Sequence, residues 1–198
     1  MNFARLKHAT AAEHTRMESL VPLMSATLHQ DQYRVVLRRF YEFVHSWEVW
    51  SAANAPEDLR PMLLERRRSR LLEADLRYFG EQLPKFHYTP PIQGTPSRAV
   101  FLGAMYVIEG STLGGQYIAG HVEKALGLLP GQGDSYFRGH GDRTGSMWRQ
   151  FRMFIEEVHD DEAEDVITGA REMFAAFGEW MRQLKPADSL KDETMGAK

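Results

Sequence analysis

A chain of 198 residues that is 43% hydrophobic and 26% charged is long enough for one domain with a sizeable core. With no cysteine it excludes a disulfide framework, a thiolate metal site and a cysteine nucleophile, so any metal chemistry must use His, Asp or Glu; a reducing, cytoplasmic setting suits such a chain. The formal charge of −3 gives no general attraction to nucleic acid, and neither a secretory leader nor a run of about 18 apolar residues is found, which predicts a soluble, unexported protein with no membrane partner.

In chain order, Phe3, Leu6, Thr10, His14, Met17 and Val21 follow a 3–4 stagger and predict one amphipathic helix ending near Pro22. Tyr33, Val36, Leu37, Phe40, Val44 and Trp47 stripe a long second helix, with Asp31 as its cap and its end before Pro56. EDLRPMLLERRRSRLLEADLRYFG reads as a further helix with Leu64, Leu71, Leu72 and Leu76 inward and Gly80 as terminator, followed by a loop marked by Pro84, Pro90, Pro91 and Pro96. From Ser97, a good cap, the longest helix runs to about Leu126. LGLLPGQGDSYFRGHGDRTGS has no sustained period and predicts a long surface connection. Met147, Phe151, Phe154, Ile155 and Val158 then mark a short helix, and Val166, Ala170, Met173, Phe177, Trp180 and Leu184 a last one. No alternating strand pattern appears, so the fold class is all-α: one helical domain over residues 1–185 and a frayed tail over 186–198.

Within the longest helix, GAMYVIEGSTLGGQYIAG places Gly103, Val107, Gly110 and Gly114 on one narrow face at 100° per residue. Each interior glycine costs about 1 kcal/mol relative to alanine, so something must approach this face closely. Tight packing against a neighbouring helix and contact with a ligand both satisfy that requirement.

On the first helix His14 has Glu18 one turn on and Lys7 two turns back. An imidazole in an apolar wall with a carboxylate at i+4 suits an axial iron ligand, and equally a satisfied core histidine beside an exposed pair. Glu42-x-x-His45 and Glu156-x-x-His159 resemble the spacing of di-iron bundles, but both glutamates fall about opposite the apolar stripes of their helices and are expected in solvent.

Two motifs read together decide between these alternatives. LKHATAAEHTRME (residues 6–18) resembles the first helix of heme oxygenases, and YVIEGSTLGGQYI (106–118) looks like their distal helix; the likeness spans most of the chain and identifies it as similar to the bacterial members, which yield biliverdin. The resemblance implies a helical bundle with heme sandwiched between a proximal and a distal helix. It implies His14 as iron ligand, Glu18 as the carboxylate associated with it, and Lys7 as a receiver of a heme propionate. Gly110 and Gly114 match the glycines whose backbone lies over the heme face, Ser111 stands where the vertebrate members carry aspartate, and a second lysine expected one turn before the histidine is Ala11. Met17, Tyr106, Val107 and Phe174 are expected at the heme, with Arg149 among several basic residues (Arg5 and Arg152 are others) that would meet the propionates. Heme is then both cofactor and substrate, consumed with O2 and electrons from an external reductant to give biliverdin, CO and free iron. A ferredoxin- or flavodoxin-type donor is implied, steered by Arg66, Arg67, Arg68, Arg70 and Arg77 if that run faces solvent, and a phytochrome is the kind of partner that accepts biliverdin. A non-catalytic heme carrier and a non-heme enzyme of the same fold are the alternative readings.

Overall fold

The computed structural model describes residues 1–84 and 91–182, and among these every regular element is helical. Leu184, Pro90 and the tail at 186–198 lie outside the described residues. The helices are α1 (Phe3–Ala9), α2 (Ala11–Leu20), α3 (Gln30–Asn54), α4 (Arg60–Glu65), α5 (Ser69–Tyr78), α6 (Arg98–Leu126), α7 (Thr144–Glu156) and α8 (Ala163–Arg182), joined in places by single 3-10 turns.

The expected first helix is two. Thr10 leaves helical geometry (φ −112°, ψ 9°), and its buried hydroxyl donates to Leu6 O at 2.9 Å, giving the side chain a local partner that competes with the helix. α3 is capped by His29 and not by Asp31: the His29 N–H donates to Gln32 Oε1 at 3.3 Å, while Asp31 pairs with Arg34. Its predicted stripe is buried throughout.

The arginine run breaks the expected third helix into α4 and α5, because Arg66 and Arg68 turn inward and are 5% and 2% exposed. The Glu48 carboxylate on α3 caps α5, accepting from Arg68 N (2.6 Å), Ser69 N (2.8 Å) and Ser69 Oγ (2.6 Å). The break shifts the phase of the stripe, so Leu64 is exposed while Leu72 and Leu76 are buried. Gly80 ends α5 as expected, at φ +71° with Glu81 N donating back to Leu76 O.

Ser97 caps α6 by accepting from Val100 N, and α8 crosses α6 with backbone against backbone. A Cβ on Gly103 would fall on the Val166 carbonyl oxygen and 2.8 Å from Ala170 N; one on Gly169 would lie 2.7 Å from the Val100 carbonyl carbon. Gly103 therefore answers the packing reading of the glycine face. Further along α6, on the same face, the neighbour is gone and the glycines open onto a cavity.

The 127–143 connection is at the surface at both ends, but its middle turns inward. Asp134, Tyr136 and Phe137 are buried, and the Asp75 carboxylate accepts from the N–H groups of Ser135 and Tyr136, each at 2.8 Å. The Phe137 carbonyl packs against Gly115, where a Cβ would be 2.5 Å away. The segment thus braces α6 from outside.

Candidate active site

A cavity of about 730 Å³ lies between α2 and α6, closed at its sides by α1, α7 and α8. It falls within the range of sites that bury a cofactor-sized ligand. A second cavity, of about 180 Å³ behind α6, is too small for one.

His14, Met17 and Glu18 of α2 and Lys7 of α1 face the cavity from one side; Tyr106, Val107, Gly110, Ser111 and Gly114 of α6 face it from the other, and Phe174 of α8 closes one flank. His14 is 60% exposed at its side chain although its helix packs on α8, because the imidazole points into this empty space. Its Nδ1 is 3.7 Å from Glu18 Oε1, and its ring meets Phe174 edge-on at 6.3 Å. Across the gap Gly114 has no atom within 4 Å of an added Cβ, and Gly110 meets only the rim of the Trp148 ring at 3.8 Å. The α6 wall is therefore bare backbone at Gly114 and backbone edged by the Trp148 ring at Gly110.

Ser111 does not act alone. Its hydroxyl donates to Ile108 O at 2.7 Å and accepts from the buried Arg68 guanidinium at 3.2 Å, so it offers an oxygen lone pair, and no hydrogen, to further partners. Arg68 also donates to Ile108 O and lies over the Tyr136 ring. Next to it, Arg66 pairs with Glu109 and donates to Met147 O at 2.9 Å. Burial raises the Glu109 carboxyl above the usual range, and Arg66 and Arg68 oppose that rise. Burial, then the charges of Arg68 and Arg66, push the nearby His140 imidazole down to about 4. Burial also raises the Tyr106 phenol, against a hydrogen bond with Thr10.

The sequence matches the heme oxygenase family over residues 1–183. The chain is 34% identical over 159 residues to the heme oxygenase of Xanthomonas campestris pv. campestris, covering 74% of this chain and 87% of that protein. The chain belongs to the heme oxygenase family. It is also 26% identical over 181 residues to the heme oxygenase PigA of Pseudomonas aeruginosa, covering 90% of each. In fold it is similar to the Neisseria meningitidis heme oxygenase, with a TM-score of 0.71 at 24% identity, over 90% of this chain and 89% of that one.

Most of the residues anticipated in this heme oxygenase chain meet at one cavity, but four expectations need correction. Arg149 is exposed and does not line it: Trp148 and Arg152, one turn apart on α7, take the inward face, and Arg149 sits 100° round from Trp148 with its guanidinium folded back towards Gly145. Arg5 pairs with Glu164 away from the cavity. The arginine run is split, leaving Arg67, Arg70 and Arg77 in solvent. Of the paired ExxH motifs, Glu156 meets Arg152 at the surface, whereas Glu42 is mostly buried beside Arg39 instead of solvated. Among the described residues no group of three or more His, Asp or Glu side chains is placed to hold a metal ion. Phe3, Leu113, Tyr117, Trp148 and Phe177 also line the cavity. Periodicity marked Phe3 and Phe177 as inward but could not separate cavity from core, and it gave no signal for Leu113, Tyr117 or Trp148. Among the described residues no helix is long and apolar enough to cross a membrane.

Proposed function

We propose that this chain is a working heme oxygenase whose α2–α6 cavity holds heme through His14. One observation carries the reading: a lone imidazole and a glycine wall face each other across a mainly apolar space of about 730 Å³ that has Lys7 and Arg152 among its lining residues. Bound heme would supply an iron that binds O2 and the ring that is opened, giving biliverdin, CO and free iron when electrons arrive.

The chain's own residues divide the remaining work. His14 offers one ring nitrogen to the iron, and Glu18, at i+4, orients the imidazole from the other. Lys7 and Arg152, at the α1 and α7 edges, meet the carboxylates of the propionates. Met17, Val107 and Phe174 exclude water from the ring faces, and Tyr106 contributes its ring to the same wall. Gly110 and Gly114 add no side chain of their own to the α6 wall and would let a flat ligand approach its backbone.

Ser111 replaces a carboxylic acid on the distal side. Because its hydrogen is held by Ile108 O and its oxygen accepts from Arg68 behind it, Ser111 offers a distal ligand only a lone pair and no acid. With heme bound, that arrangement would leave the distal space without a side-chain acid.

Electrons come from an external donor of ferredoxin or flavodoxin type, drawn by the exposed Arg67, Arg70 and Arg77. The product suits a biliverdin-accepting phytochrome. We place the protein in the cytoplasm, in keeping with its lack of cysteine.

Hemin titration followed by addition of ascorbate or reduced ferredoxin under air tests the reading. A Soret band that forms and is then lost with release of biliverdin supports it. A stable Soret band under reductant would assign a carrier, and no band at all a non-heme enzyme.

A further inference from the structure

The two glycines of the distal wall are not equivalent. At Gly114 a Cβ would enter open space, whereas at Gly110 it would already touch the indole of Trp148, at 3.8 Å from Cη2 and 4.0 Å from Cζ3. The bare stripe of α6 is therefore half covered, and the cover is a side chain from α7.

Trp148 is also fixed in place. Its ring packs on Phe3 at 5.7 Å and 80°, on Tyr106 at 6.1 Å and 40°, and on Phe151 at 5.8 Å and 37°. Phe3 carries the Arg152 guanidinium on its face, 4.5 Å from the ring centroid. Swinging the indole out would break three ring contacts together, so it is a wall and not a gate.

We propose that Trp148 is a specificity-determining residue: by filling the space beside Gly110 it confines any small ligand on the α6 side of the heme to the Gly114 side. The inference rests on the heme reading above. It makes Trp148 the residue that limits the size of a distal ligand and biases which edge of the ring is opened. Ser111 and the charge of Arg68 act on the polarity of that space, while Trp148 acts on its shape.

The test uses the full chain loaded with hemin and reduced with dithionite, titrated with methyl isocyanide and with tert-butyl isocyanide and followed in the visible spectrum. The wild type is expected to discriminate against the branched ligand. Trp148→Phe, which keeps an aromatic ring on the same carbon but withdraws the outer benzo edge, should reduce that discrimination by about tenfold or more, the scale of a few misfitted methyl groups in a pocket. Trp148→Ala should reduce it further, and Gly114→Ala should increase it. Methyl isocyanide affinity and the Soret position should stay near wild type in Trp148→Phe, and the biliverdin isomer mixture should broaden. Unchanged discrimination in Trp148→Phe, with methyl isocyanide still binding normally, overturns the role of Trp148 and leaves the heme reading standing. A wild type that forms no Soret band with hemin overturns both. If Trp148→Ala fails to fold, Trp148→Phe carries the test.

Discussion

Gly114→Leu should stabilise the apo-protein and weaken heme binding at the same time. Gly114 sits inside a 29-residue helix, and no atom lies within 4 Å of an added Cβ, so the substitution meets no neighbour at that carbon. Replacing an interior helical glycine by leucine gains up to about 1 kcal/mol. For a domain of this size that corresponds to a rise in melting temperature of roughly 2–4 °C. The same side chain projects into the cavity, where overpacking against a flat ligand costs about 1–3 kcal/mol, roughly a 5- to 150-fold loss of affinity. Gly103→Ala is the contrast: its Cβ would lie on the Val166 carbonyl, so α6 and α8 must separate and melting must fall, with heme affinity affected only through the fold. Thermal melts of the apo-proteins and Soret titrations with hemin measure both quantities. A Gly114→Leu protein that melts lower than wild type, or that binds hemin equally well, would refute the reasoning that the wall is bare for the ligand's sake.

Arg66→Met should strand the buried Glu109 carboxylate and cost about 3–5 kcal/mol in urea denaturation. Its stability should then fall as pH rises, since an acid held protonated only in the fold loses its contribution as it ionises; adding Glu109→Leu should recover most of the loss. His140 has the opposite sign. With its folded value near 4, below the unfolded value near 6.5, its contribution is complete above the unfolded value and is lost as pH falls through about 4. Asp134, raised to about 6 by burial and by Glu123 beside it against the opposing Arg138, titrates in the same window, so the quantity to read is the difference between wild type and His140→Asn, which should be flatter from pH 7 to 4. Arg152→Ala should weaken hemin affinity severalfold, and Arg149→Ala should leave it at the wild-type value; the reverse result would return Arg149 to the site.

Much of this was legible in the sequence where one residue's environment is set by its own helix. The α3 stripe, the Ser97 cap and the Gly80 terminator follow from local rules, and the structure has them where those rules put them. The glycine face was legible as a close approach but not as two different approaches: Gly103 is explained only by the backbone of Val166 and Ala170, from a helix much later in the chain, and Gly110 only by Trp148. Arg66 and Arg68 read as a solvated run because charge predicts exposure, and their burial depends on Glu109 and Ser111 arriving from another helix. The 127–143 segment lacks periodicity, yet the buried Asp75 carboxylate of α5 holds it, a tertiary effect no local pattern carries. Thr10 was counted as a stripe position and is one, but its hydroxyl also ends the helix there. The placing of Lys7, His14 and Glu18 along one cavity nonetheless survives that break.

The central claim is that His14 is the group that holds the iron. Its side chain is largely exposed, so His14→Ala should leave the melt of the apo-protein within about 0.5 kcal/mol of wild type. The decisive measurement is biliverdin formation by hemin-loaded His14→Ala with and without added imidazole, under reductant and air. The account predicts no biliverdin without imidazole, a shifted Soret band, and partial return of product when imidazole enters the vacated space. Full activity with an unshifted Soret band would contradict it.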